Sequence, residues 1–325
     1  MTRHIGGFFP LELPSRPGPL PPRDAVLLRS GRACLRAILE ATRPSRLLVP
    51  FYICDAALGP ARALGVPLVF YTIDASLNPI LPKLASDDSV LIVDYFGVCG
   101  RALSWAQELG RRGILDGSHA LFESRPSNCW RFTSARKWFG VPDGAFLWGP
   151  AAITEPTPEP LRSLPAHLIE RRWGDPELAY RHYQAAERSF DPSIAPISIE
   201  SVTILHGVDT DRVRSSRRAN FAYLHERLGA RNELPVALDD GRVPFCYPFL
   251  APLEISQAVL AKAGLFVPRF WLDCLARGKD DFPWERELSR RLLPLPIDHR
   301  YGPTDMQLVA EIVLDHLDGY THATP

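Results

Sequence analysis

The sequence predicts an α/β protein in which a large domain, built on a mostly parallel sheet sandwiched by helices, precedes a smaller C-terminal α+β domain. Three observations predict this class. Short apolar runs alternate with amphipathic stretches from residue 23 to about residue 150. The run at residues 89–96 (SVLIVDYF) is continuous and branched, as is typical of a strand covered on both faces. Beyond residue 150, longer helical stretches replace the regular alternation.

The first half of the chain contains the strands of the predicted parallel sheet. We predict strands at residues 46–52, 66–73, 89–96, 113–116, 130–134 and 145–148, and helices at 25–39, 56–64 and 102–112. The block Ser30-Gly31-Arg32-Ala33 lies inside the first helical pattern. We therefore place the true start of that helix at about Gly31.

The second half reads as helices with a small number of strands. A helical stretch at residues 165–188 is expected to break at Asp175-Pro176, where the proline suits a new helix start. The remaining expectations are one long helix at 199–228, strands at 244–250 and 264–267, and a last helix at 304–317. The predicted organisation is an N-terminal arm (1–22), a large cofactor-binding domain (23–197), and a long helix with the small domain (198–325).

Composition excludes several classes of partner. The 37 basic and 37 acidic residues balance, so neither nucleic acid nor an anionic membrane is expected as a general partner. No two of the six cysteines have a C-x-x-C spacing, so neither a zinc site nor a redox pair is predicted. No segment has the length of a signal peptide core or of a membrane helix, which favours a cytoplasmic protein. Glycine-rich dinucleotide and P-loop signatures are absent.

The predicted strand ends place several polar and aromatic residues on one rim of the sheet. In parallel sheets that are covered by helices, ligands bind outside the carboxyl ends of the strands. Residues 50–54, 95–97 and 116–119 each follow a predicted strand. We therefore expect these three segments to converge on one site.

An acid and a lysine in this region have the order that pyridoxal phosphate chemistry needs. Asp116 ends a buried strand, and Lys137 follows 21 positions later, just after another strand and before glycine-rich backbone. A lysine amine can bond covalently to the cofactor aldehyde, while a carboxylate keeps the pyridine nitrogen protonated. The alternatives are a surface lysine after a strand and an aspartate that caps a turn or helix.

Blocks along nearly the whole chain resemble the DegT/DnrJ group of aminotransferases, and more specifically a short branch of it. The blocks are residues 5–9 (IGGFF), 30–33 (SGRA), 95–97 (YFG), 134–144 (SARKWFGVPDG), 196–198 (PIS), 217–220 (RRAN) and 295–298 (LPID). The resemblance implies a fold-type I pyridoxal-phosphate transferase that works as a homodimer. It also implies transfer of an amino group from an amino acid, such as glutamate, to a keto group on a nucleotide-linked sugar.

The same resemblance assigns roles to individual residues. Lys137 matches the lysine that carries the cofactor, and Asp116 matches the partner of the pyridine nitrogen. His119 falls where the family places a histidine or glutamine beside the cofactor ring. Ser134, three positions before Lys137, suits a hydrogen bond to the cofactor phosphate; the wider family has its serine two positions earlier, where this chain has Phe132.

The start of the first helix is the expected phosphate site. Gly31, Arg32 and Ala33 would present a helix N-terminus, where free N–H groups and the helix dipole favour an anion. Arg32 stands where the family usually has a threonine, and its guanidinium would add charge and a fork of donors.

A ring should also stack on the cofactor. The family's aromatic position falls on Cys54, so Tyr52 is the expected substitute and Tyr95 the second choice. The asparagine that relatives supply from the neighbouring subunit cannot be transferred, because Ile194 and Ala195 occupy that area.

Two other functions remain open from the sequence. A different pyridoxal-phosphate reaction, such as cysteine desulfuration or a lyase reaction, would need a mobile nucleophilic cysteine, for which Cys274 is the candidate. A non-catalytic protein on the same scaffold is the other alternative; retention of both Lys137 and Asp116 argues against it.

Overall fold

The computed structural model describes residues 5–9, 18–126, 128–161, 165–189, 193–278 and 281–321. The strands are β1 (Ile5–Gly6), β2 (Val26–Leu28), β3 (Arg46–Pro50), β4 (Leu68–Ile73), β5 (Pro79–Ile80), β6 (Asp88–Val93), β7 (Gly113–Asp116), β8 (Trp130–Ser134), β9 (Ala145–Trp148), β10 (Tyr247–Leu250), β11 (Leu265–Phe266) and β12 (Leu292–Leu295). The helices are α1 (Gly31–Thr42), α2 (Asp55–Ala63), α3 (Ala102–Glu108), α4 (Ala166–Trp173), α5 (Pro176–Ser189), α6 (Ile199–His206), α7 (Thr210–Leu228), α8 (Gln257–Lys262), α9 (Asp273–Ala276), α10 (Pro283–Arg291) and α11 (Pro303–Thr321).

Eight strands form one twisted sheet in the order β2-β9-β8-β7-β6-β3-β4-β5. The five central strands, β8, β7, β6, β3 and β4, run parallel, and β9, β2 and β5 add antiparallel pairs at the edges. Every residue of β6 is buried, as expected for a strand at the centre of a covered sheet. The predicted fold class is confirmed.

A second group of elements lies in the C-terminal part of the chain. Strands β10 and β12 pair antiparallel, and the N-terminal strand β1 pairs parallel with β11. Helices α7 and α11 pack on each other and enclose a second hydrophobic cluster. The start of the chain is thereby tied to a region about 260 residues later, at Leu265 and Phe266.

Most of the predicted elements are confirmed, and two are wrong. The helical pattern from residue 25 begins as β2, because Val26–Leu28 pairs with β9, and the helix starts at Gly31 with Ser30 as its cap. The long helix predicted at 199–228 is two helices. Gly207 ends α6, and the side chain of Asp209 accepts the Arg212 N–H to begin α7.

Within the described ranges, no helix combines the length and the apolar character that a membrane crossing requires. The predicted N-terminal arm is described only at residues 5–9 and 18–22. The rest of that arm lies outside the described residues.

Candidate active site

The carboxyl ends of the parallel strands bring the three expected rim segments together. The Tyr95 hydroxyl, after β6, donates to the Tyr52 carbonyl, after β3, at 2.8 Å. The ring of Phe96 stacks on His119, which follows β7, with 5.8 Å between ring centres. The convergence predicted from the strand ends is thus present.

Lys137 lies directly beside His119. Its Nζ is 3.0 Å from His119 Nε2, and Lys137 is half-buried. Burial, assisted by the Lys137 charge, lowers the pKa of His119 well below its usual range, so the imidazole is neutral at neutral pH. When the Lys137 ammonium donates to Nε2, the ring proton must be on Nδ1. That Nδ1 is buried and has no hydrogen-bond partner among the described residues.

Asp116 is the last residue of β7 and lies on the same rim. Its Oδ1 accepts the Ser118 N–H at 2.9 Å. Burial raises the pKa of Asp116, while the Ser118 hydrogen bond and the Lys137 charge oppose that rise. Lys137 is therefore within electrostatic reach of the acid, and Trp138 links the two segments by donating its Nε1–H to the Ser118 carbonyl at 2.9 Å.

The N-terminus of α1 meets this rim. A Cβ added to Gly31 would lie 3.3 Å from the Phe132 ring and 3.8 Å from Ser118 Oγ, so the helix start packs closely against β8 and the loop after β7. The Ala33 N–H already donates to Ser30 Oγ at 3.2 Å. The expected set of free amides is therefore smaller by this one group.

Two arginines and a carboxylate lie at the same end of the site. Arg136 precedes Lys137 and donates to Glu187 on α5, and Arg32 of α1 lies 3.8 Å from the other oxygen of that carboxylate. Neither Arg136 nor Glu187 was predicted from the sequence. Glu187 is 50 positions from Lys137 and belongs to no recognisable motif.

Aromatic rings cover His119 on the side of the C-terminal region. Phe245 stacks on it face to face, at 4.3 Å and 1° between planes, and Trp271 is also parallel to it at 5.8 Å. Phe270 completes this aromatic wall at 5.5 Å. Two members of the wall, Phe96 (φ 58°) and Trp271 (φ 59°), have left-handed backbone that is costly for bulky residues and that is often found at functional sites.

Gly97 makes the wall possible at the end of β6. It has φ +70°, and a Cβ there would lie 2.6 Å from the His119 carbonyl oxygen and 2.8 Å from that of Val243. Arg242 reinforces this corner by pairing with the buried Asp94 through two contacts of 2.7 Å.

The other expected residues are placed as follows. Tyr52 is fully buried, its ring meets those of Tyr95 and Trp271, and its hydroxyl has no hydrogen-bond partner within the described residues. Its stacking on a cofactor stays a prediction, as does the same role for Tyr95. Ser134 ends β8 and is buried. Cys54 is within electrostatic reach of both Lys137 and Asp116, although burial raises the pKa of its thiol.

Comparison with known proteins gives a fold. No family model matches the chain, and no curated protein matches it. Solved structures do match over most of their length. The aminotransferase TlmJ from Streptoalloteichus hindustanus is 17% identical with a TM-score of 0.63, covering 92% of this chain and 87% of that one. The sugar aminotransferase CalS13 from Micromonospora echinospora is 17% identical with a TM-score of 0.60, covering 89% and 86%.

The chain has the aminotransferase fold. A third structure, DesI in the presence of its TDP-sugar product, is also 17% identical, with a TM-score of 0.58 and coverage of 91% and 81%. Because these identities are low, they show the aminotransferase fold alone. Among the described residues, no group of three or more His, Cys, Asp or Glu side chains could hold a metal ion.

Proposed function

We propose that this chain is a pyridoxal-phosphate-dependent aminotransferase that carries its cofactor on Lys137. The observation that carries the proposal is the 3.0 Å contact between Lys137 Nζ and the neutral His119, on the strand-end rim that also holds Asp116. A half-buried lysine in such a place is suited to chemistry that needs an amine. The aminotransferase fold supports the same conclusion.

The donor set fits the cofactor. An amine, a carboxylate and a cationic end stand at one rim, provided by Lys137, Asp116 and the pair Arg32–Arg136. The buried and unpartnered Nδ1 of His119 offers a further polar group to a ligand. When bound, pyridoxal phosphate would supply the aldehyde and the electron-withdrawing ring that amino transfer requires.

The residues of this chain would do the rest. Lys137 would hold the cofactor and then, once released, move a proton between the substrate carbon and the cofactor carbon as general base and acid. Asp116 would keep the ring nitrogen protonated. Gly31, Arg32, Ala33 and Ser134 would bind the phosphate at the start of α1 and the end of β8.

The substrates proposed are an amino acid donor, glutamate in the first instance, and a keto sugar linked to a nucleotide. The neighbours support this class, since one is a sugar aminotransferase and another was solved with a TDP-sugar product. We further propose a large cofactor domain at 23–197, a small domain within 198–325, and a cytoplasmic homodimer that serves polysaccharide or glycoside assembly. Light scattering of the purified protein tests the dimer, and a monomer at micromolar concentration would contradict it.

A panel of keto sugars tests the function directly. The protein is loaded with pyridoxamine phosphate and mixed with nucleotide-linked keto sugars, and the absorbance of the bound cofactor is followed. We expect one class of keto sugar to convert the spectrum to that of pyridoxal phosphate, with Lys137→Ala inert. Conversion by none of the panel, together with no reaction with any amino donor, would favour a non-catalytic protein.

The desulfurase alternative finds no support in the structure. Cys274 is fully buried in α9, and its Sγ lies 3.1 Å from the Phe51 carbonyl. Burial also raises the pKa of this thiol. A nucleophilic cysteine needs exposure and thiolate character, so Cys274 is better explained as a packing residue.

A further inference from the structure

Two arginines from different elements share one carboxylate beside Lys137. Arg32 is the second residue of α1, and Arg136 directly precedes Lys137. Glu187 bridges them, since Oε1 accepts from Arg136 and Oε2 lies 3.8 Å from Arg32 Nη2. The side chains of Arg32 and Arg136 are 18% and 14% exposed, whereas that of Glu187 is 37% exposed. The arginines are therefore the more deeply placed members of the cluster.

The positive charge in this cluster exceeds what Glu187 neutralises. Burial alone would raise the pKa of Glu187, but the charges of Arg136, Arg32 and Lys137 lower it below its usual range. The first turn of α1 contains no acidic residue, so the positive end of that helix is not offset within the helix. Three cations and a helix N-terminus around a single carboxylate suit an anion with two negative charges.

We propose that Arg32, Arg136 and the start of α1 bind the dianionic phosphate of a phosphomonoester, and that Glu187 is an internal counter-anion which this phosphate displaces. The choice of pyridoxal phosphate as the phosphomonoester rests on the proposed function. The dibasic site and its counter-anion rest only on the contacts of this cluster. Glu187 thereby sets the affinity of the site for phosphate.

The neighbours of Glu187 allow its side chain to leave without moving the helix. Tyr183, one turn earlier on α5, stacks on Phe8 at 4.8 Å and 2°, and it meets His167 of α4 edge-on at 5.7 Å. These contacts hold the helix in place. A partly exposed glutamate can change rotamer towards solvent at little cost, while the deeper arginines keep their positions.

The test compares Glu187→Gln with the unchanged protein, using three probes. Inorganic phosphate is titrated by calorimetry, and pyridoxal phosphate and pyridoxal are titrated by absorbance. Removal of the competing charge should tighten binding of both phosphate-containing probes about tenfold. Pyridoxal, which lacks the phosphate, should bind unchanged. Glu177→Gln, an exposed position in the first turn of the same helix, is the matched control and should change none of the three.

Arg136→Gln supplies an opposite variant and should weaken phosphate binding about tenfold. The proposal is overturned if Glu187→Gln, with an unchanged melting temperature, binds phosphate equally or less tightly, or if Arg136→Gln leaves phosphate affinity unchanged. Cofactor bound on Lys137 without any Glu187 effect would leave the proposed function standing and remove this site. A Glu187 effect on inorganic phosphate without cofactor binding would do the reverse.

Discussion

Lys137 has a neighbour that orients its amine without adding charge. His119 is held neutral by burial, so its Nε2 can accept from the Lys137 ammonium at 3.0 Å and adds no second cation. The face-to-face stack of Phe245 fixes the plane of the imidazole. The direction of the lysine amine is therefore set by a ring that the C-terminal region holds in place.

Asp116 is the residue whose role is most sharply testable by a single isosteric change. Asp116→Asn removes the negative charge that would keep a ring nitrogen protonated, so turnover should fall by about a hundredfold or more while the cofactor still binds. Steady-state kinetics and cofactor titration measure the two effects separately. Asp240→Asn, at a fully exposed aspartate, is the control. Near-normal turnover of Asp116→Asn would remove Asp116 from the chemistry.

At this scale the sequence predicts residues whose place depends on local order. Lys137, Asp116 and His119 follow strands whose ends must meet at one edge, so spacing along the chain is sufficient to select them. Glu187 and Trp271 give no such signal. Their positions depend on how α5 and the segment before α9 pack on the sheet, which no local pattern encodes.

At the scale of elements, the break between α6 and α7 shows why periodicity alone can fail. The apolar pattern continues through residues 199–228, but Gly207 closes the first helix and Asp209 caps the second. A one-residue cap outweighs a weak periodic signal, because it satisfies backbone groups that the helix end would leave unpaired. Strand β2 was missed for a related reason, since its partner β9 is more than 110 residues away.

The cap at Asp209 supports the site through α7. That helix carries Arg217, whose Nη1 donates to the Phe245 carbonyl at 2.6 Å and whose guanidinium lies over the Trp138 ring at 4.3 Å. Asp209→Ala should lower the free energy of unfolding by about 1 kcal/mol, because the α7 N-terminus loses its side-chain acceptor. Urea denaturation measures this change. Asp209→Asn, which retains an acceptor oxygen, should lose much less, and equal losses in the two variants would refute the capping role.

For the whole molecule, the alternation of strands and helices was sufficient to predict the parallel sheet and its functional rim. The C-terminal region was less accessible, because its main pair, β10 with β12, joins segments some 40 residues apart through three intervening helices. Yet this region supplies Phe245 and Trp271 to the wall over His119. The site is thus assembled from both halves of the chain, and only one half announces it in the sequence.

The small number of lysines makes the central claim directly measurable. The chain has four, and of the three in described segments Lys83 and Lys262 are exposed while Lys137 is half-buried beside His119; the fourth is Lys279. The protein is incubated with pyridoxal phosphate, reduced with borohydride, digested and mapped by mass spectrometry. We predict a phosphopyridoxyl group on the Lys137 peptide alone, and none after Lys137→Ala. A label spread over Lys83, Lys262 and Lys279, or absent from Lys137, would contradict the account.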